Sequence, residues 1–129
     1  AEPLRAALDA PEPTPAPEIV AQLLDRFREL LAMTAFRGGC VIAAAVVDGA
    51  SGSDTVAAAA RQAFDTWTTP LEAALHRGGL PEARARRVAL VVISAVEGAL
   101  IVSRARRDLA ALDAIDVELR ALLGDLPDG

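Results

Sequence analysis

Residues Val88 to Val102 read VALVVISAVEGALIV, apolar on every side of any helix they form. A helix with no polar side has to be covered on nearly all of its faces. Its fifteen residues fall short of the roughly twenty needed to span a bilayer, and Glu97 sits in the second half. Arginines at 84, 86 and 87 and at 104, 106 and 107 flank both ends, so no positive-inside asymmetry exists. The run therefore predicts a buried helix, starting at Pro81 with Glu82 in its first turn and continuing to about Arg107. Such a helix lies at the centre of a bundle, or between a bundle and a second subunit.

The rest of the composition agrees with helices. A chain of 129 residues fits one domain and buries roughly two-thirds of its unfolded surface. Only 3% of it is aromatic and alanine abounds, which lets helices approach closely around thin side chains. The net charge is -5, the reverse of a nucleic-acid footprint, so this segment is not expected to grip DNA itself. One cysteine cannot close an internal disulfide, which suits a reducing cytoplasm. The acidic, proline-rich start has no secretory pattern. Its first residue is alanine rather than methionine, which suggests a chain cut from something longer.

Along the chain, residues 1–17 read as the end of a preceding helix, with Leu4 and Leu8 one turn apart, followed by a connector carrying Pro11, Pro13, Pro15 and Pro17. Residues 18–129 read as the helical domain. Ile19, Leu23, Phe27, Leu30 and Leu31 follow helical spacing up to Met33. The Gly38-Gly39 pair is then expected to end that helix, and Cys40 to open a short one reaching Val47. Ser53 is a plausible N-cap for a helix from Asp54 to Arg77, with Pro70 kinking it near Thr66 to Thr69. Gly78-Gly79 terminates it, and His76 and Arg77 suit the negative end of its dipole. A last helix, about Leu109 to Leu123, carries the seam Leu112, Ile115, Leu119 and Leu122.

Phe36-Arg37-Gly38-Gly39-Cys40, Ala63-Phe64-Asp65-Thr66-Trp67 with Leu71 and Leu75, Glu97-Gly98-Ala99-Leu100 and Arg106-Arg107-Asp108 together resemble the C-terminal domain of a TetR-type transcriptional repressor. The resemblance is to the subgroup with an Arg-Gly-Cys-type element and runs from about Ile19 to Leu123. It implies an all-α, antiparallel helical bundle that forms a homodimer through its last two helices, with Val96, Leu100, Ile115, Leu119 and Leu122 at the interface. It also implies a small apolar or aromatic effector, and DNA binding only through an N-terminal helix-turn-helix domain that these residues do not include. A free-standing helical dimer acting as an adaptor is the alternative.

No nucleophile elbow, HExxH, Walker-type loop or dinucleotide glycine pattern occurs, so neither an enzyme, a metal site nor a cofactor is expected. The effector cavity is expected among Phe27, Leu31, Phe36, Cys40, Trp67, Leu71, Ser94, Glu97 and Gly98. Trp67 beside a proline kink would shape it. Cys40 reads as a small buried side chain lining the cavity, although a helix start beside Arg37 would also favour a thiolate. Glu97, an isolated carboxylate on the apolar helix, has to pair, reach the rim, or meet a donor group of the ligand.

Overall fold

The computed structural model describes residues 2–39 and 53–124. Within them the chain forms α1 (Glu2–Asp9), α2 (Ala16–Met33), α3 (Asp54–Arg77), α4 (Glu82–Arg106) and α5 (Ala110–Gly124). No strand occurs among these residues, and the fold is all-α. The short helix expected from Cys40 to Val47 lies outside the described residues.

Proline sets the start of α2. Pro15 holds φ -56° and ψ 142° at the N-cap and Pro17 sits in the first turn, where a missing N–H costs nothing. The helix thus begins two residues before Glu18. The Ala16 N–H donates to the Gly78 carbonyl at 3.2 Å, tying the start of α2 to the turn that ends α3. Gly78 is required there, because a Cβ would lie 2.5 Å from the Thr14 carbonyl oxygen and 2.9 Å from the Ala16 nitrogen.

The far end of α2 departs from expectation. The helix stops at Met33, well before the glycine pair. The Thr34 hydroxyl donates to the Leu30 carbonyl at 2.7 Å and accepts from the Gly38 N–H at 2.9 Å. The Phe36 N–H reaches back to the Leu31 carbonyl at 2.8 Å, the five-residue return of a Schellman-type ending. Ala35 and Phe36 take up φ values of 50° and 60°, a left-handed turn that glycine normally supplies.

Ser53 caps α3 as expected, its Oγ accepting from the Val56 N–H at 3.3 Å. The helix runs through Pro70 without interruption. Thr66 and Thr68, just upstream, donate their hydroxyls to the carbonyls of Ala63 and Phe64 at 2.6 and 3.1 Å. At its foot, His76 Nδ1 donates to the Leu80 carbonyl at 2.8 Å. Arg77 spans to α1: Nη1 donates to the carbonyls of Ala7, at 3.1 Å, and Leu8, and Nη2 to that of Ala10. These oxygens belong to the end of α1, where no intrahelical donor is left for them.

Helix α2 packs against all four other helices, α3 lies along α4, and α4 along α5. The core runs from Leu4 and Ala7 of α1 through Val20, Leu23, Leu24 and Leu31 of α2 to Leu71 and Leu75 of α3, Val92, Val96 and Leu100 of α4, and Leu112 and Leu123 of α5. Helix α4 is not covered all round. One face is buried, whereas Leu90 and Ile101 are each 59% exposed and Val91 and Val102 are exposed as well. By length and composition alone α4 is apolar enough to cross a membrane. Its buried face packs on α2, α3 and α5.

Candidate functional site

The residues expected to line an effector cavity fall into three groups. Phe27 of α2 and Trp67 of α3 meet as a tilted pair, ring centroids 6.2 Å apart at 38°. Both are half-buried and pack on the core, as does Phe36. Leu31 and Leu71 are wholly enclosed core side chains. Ser94 and Gly98 stand on the outer, exposed face of α4, where a Cβ built on Gly98 meets nothing within 4 Å, and Glu97 is half-buried on the flank. Cys40 lies outside the described residues.

A different concavity forms where the ends of α2 and α4 come together. It is a cleft of about 400 Å³, lined on one side by Ala35, Phe36 and Arg37 and on the other by Ile101, Arg104, Ala105 and Arg107. Of the expected cavity residues only Phe36 belongs to it. Sequence reasoning treated the arginines at 104 and 107 as flanking charge. The signal that would have found the cleft is the left-handed turn at Ala35 and Phe36, which no residue type there announces.

The expected interface residues also shift. Val96, Leu100 and Leu119 are 1%, 2% and 6% exposed, buried inside the single chain, so they serve the core and not a surface. Ile115 is half-buried, and Leu122 is exposed. The uncovered apolar face instead comprises Leu90, Val91, Ser94, Gly98, Ile101 and Val102 of α4 with Ala110, Ala114, Val117 and Ala121 of α5. The α5 positions recur at steps of four, three and four, one side of the helix.

An ionic cluster absent from the sequence reading joins α2 to α5. Arg28 reaches Asp116 at 2.7 Å, Asp113 at 3.0 Å and Asp25 at 2.8 Å, and Arg120 closes on Asp116 at 2.6 Å. Burial opposes the charge on Asp116, but the hydrogen bonds from Arg120 and Arg28 outweigh it and hold the carboxyl below its ordinary value. Arg28 mirrors this: burial disfavours its charge, yet Asp116 and Asp113 push its pKa upward. Among the described residues, no three histidine, cysteine or carboxylate side chains gather as a metal site requires.

Residues 16–118 match the family model described as the C-terminal domain of LmrA/YxaF-like transcriptional regulators. Two proteins of Mycobacterium tuberculosis, from the CDC 1551 / Oshkosh and H37Rv strains, are each 37% identical in an alignment of 117 residues that covers 86% of this chain. Both are described as uncharacterised helix-turn-helix-type transcriptional regulators. The chain spans 60% of their length. No solved structure matches it. That family is one of transcriptional regulators rather than enzymes. Matched by the family model over residues 16–118, most of its length, and 37% identical to these regulators, the chain belongs to the TetR family of transcriptional regulators, as an LmrA/YxaF-like C-terminal domain.

Proposed function

We propose that this domain is the effector-binding and dimerisation part of a cytoplasmic TetR-type repressor. In this reading a small apolar or aromatic ligand controls DNA binding by a helix-turn-helix domain N-terminal to α1. The carrying observation is the uncovered apolar face of α4 and α5. Side chains such as Leu90, Ile101 and Val117 are each more than half exposed and recur at helical spacing on one side of each helix, and clustered apolar exposure of this kind marks an interaction surface. A second copy related by a two-fold axis buries the same face on both sides and makes a four-helix interface. Ser94, Gly98 and the α5 alanines let the helix backbones approach closely there.

The ligand's place is supported by Phe27 and Trp67, two half-buried rings that meet across α2 and α3 and pack on the core. Apolar pockets shaped by aromatic rings suit ligands of that kind. The domain's own charge of -5 leaves DNA contacts to the other domain.

The test joins the domain to its upstream helix-turn-helix and measures operator binding. The expected result is salt-sensitive binding by a dimer, weakened by an aromatic compound that also quenches Trp67 fluorescence and raises the melting temperature. A dimer with no DNA binding and no response from Trp67 across a broad compound set would favour the adaptor instead.

A further inference from the structure

The cleft between the ends of α2 and α4 has a chemistry unlike the aromatic pair. Arg37, Arg104 and Arg107 line it from two elements, and no carboxylate lines it among the described residues. Elsewhere Arg28, Arg86, Arg106 and Arg120 are each matched to an acid, whereas Arg5, Arg61 and Arg87 stand singly on the surface rather than around a concavity. Among the described residues the three cleft arginines have no side-chain hydrogen bond or ion pair. Three arginines around one concavity concentrate positive charge there, and an anion offsets it while its oxygens accept from planar guanidinium forks.

The backbone singles out the same place. Ala35, Phe36 and Arg107 are the non-glycine residues with positive φ among those described, at 50°, 60° and 56°, and all three line this cleft. Each closes a helix, Ala35 and Phe36 the end of α2 and Arg107 the C-cap of α4, and left-handed endings of this kind bring the two helix ends to the rim of the cleft. Gly39 adds to the fit, because a Cβ there would lie 2.7 Å from Arg104 Nη1. The missing side chain leaves room for the guanidinium against the backbone. Between the arginines, Phe36, Ile101, Ala35 and Ala105 supply an apolar wall, and about 400 Å³ is within the range of small-molecule sites.

The geometry points to a binding site for an amphipathic organic anion, a carboxylate or phosphate carried on a compact apolar body. The charged head is held by Arg37, Arg104 and Arg107, and the body lies against Phe36 and Ile101. This site is separate from the Phe27 and Trp67 pair, and it does not depend on the repressor reading.

Calorimetric titration of the purified chain tests it without DNA and without reference to dimerisation. The probes are phenyl phosphate and decanoate, with phenol, decanol and inorganic phosphate as controls. Phenyl phosphate and decanoate are expected to bind at least tenfold more tightly than their neutral counterparts and than inorganic phosphate, with affinity falling as salt rises. The double substitution Arg37→Gln and Arg104→Gln should cost at least tenfold, whereas Arg61→Gln, on exposed α3 surface, should leave binding unchanged. The three arginines are exposed, so folding survives the substitutions and circular dichroism checks it. Equal binding of anions and neutral analogues, loss in Arg61→Gln as large as in the double variant, or no binding by either anion at millimolar concentration would overturn the site. Inorganic phosphate binding as tightly as phenyl phosphate would overturn the apolar half of it.

Discussion

Asp116 carries two opposing demands in one carboxylate. It is only 5% exposed, yet it stays ionised because Arg28 and Arg120 clamp it from α2 and from one turn further along α5. A group whose folded pKa is depressed contributes stability that is complete above its unfolded pKa, about 3.9 for aspartate, and fades as pH falls through the lower folded value. Urea titrations of the native chain should therefore show stability falling as pH drops below about 4. In Asp116→Asn that part of the acid dependence should be reduced. The same substitution should cost about 2 kcal/mol at neutral pH, since it strips the main counter-charge from half-buried Arg28. At Ala35 the sign reverses. Glycine relieves the left-handed penalty at φ 50° at some expense in unfolded-chain entropy, so Ala35→Gly should stabilise by roughly 0.5 to 1 kcal/mol. An unchanged or lower denaturation midpoint would show that the turn is not strained.

Helices were legible where a residue type forces an outcome. Ser53 and Pro81 mark the starts of α3 and α4, because a capping hydroxyl or a fixed φ acts locally, whereas α2 starts at Ala16, two residues before the expected Glu18 and inside the proline run expected to be a connector. The end of α2 was misplaced because Thr34 and two left-handed non-glycine residues stop it before the glycine pair. The outward face of α4 was also illegible. A helix apolar all round carries no polar stripe to say which side meets solvent, so Val96 and Leu100 were assigned outward and are buried. Cooperation between elements was invisible for another reason: Arg77 sits about seventy residues from the carbonyls it grips. Arg77→Ala should speed amide exchange throughout α1 at least tenfold, equivalent to about 1.4 kcal/mol, while α4 and α5 keep their protection. Uniform loss across the chain would mean that α1 is not separately latched.

For the molecule as a whole, the decisive contrast is between two residues of α5 that lie two positions apart. Leu119 points into the chain's own core and Val117 is 66% exposed. In the proposed dimer, Val117→Glu should give a folded monomer by sedimentation, because like charges would then face each other across the proposed two-fold axis. Leu119→Asp should cost about 3 kcal/mol or more of folding stability through a buried unpaired charge. A Val117→Glu protein that remains dimeric would place the contact elsewhere. The grip of Arg77 on the end of α1 also has a mechanical side. With its last carbonyls clasped by α3, and Ala16 tied to Gly78 just beyond the prolines, the segment between α1 and α2 cannot act as a slack tether. A twist applied at α1 is delivered to the foot of α3 and the head of α2 together.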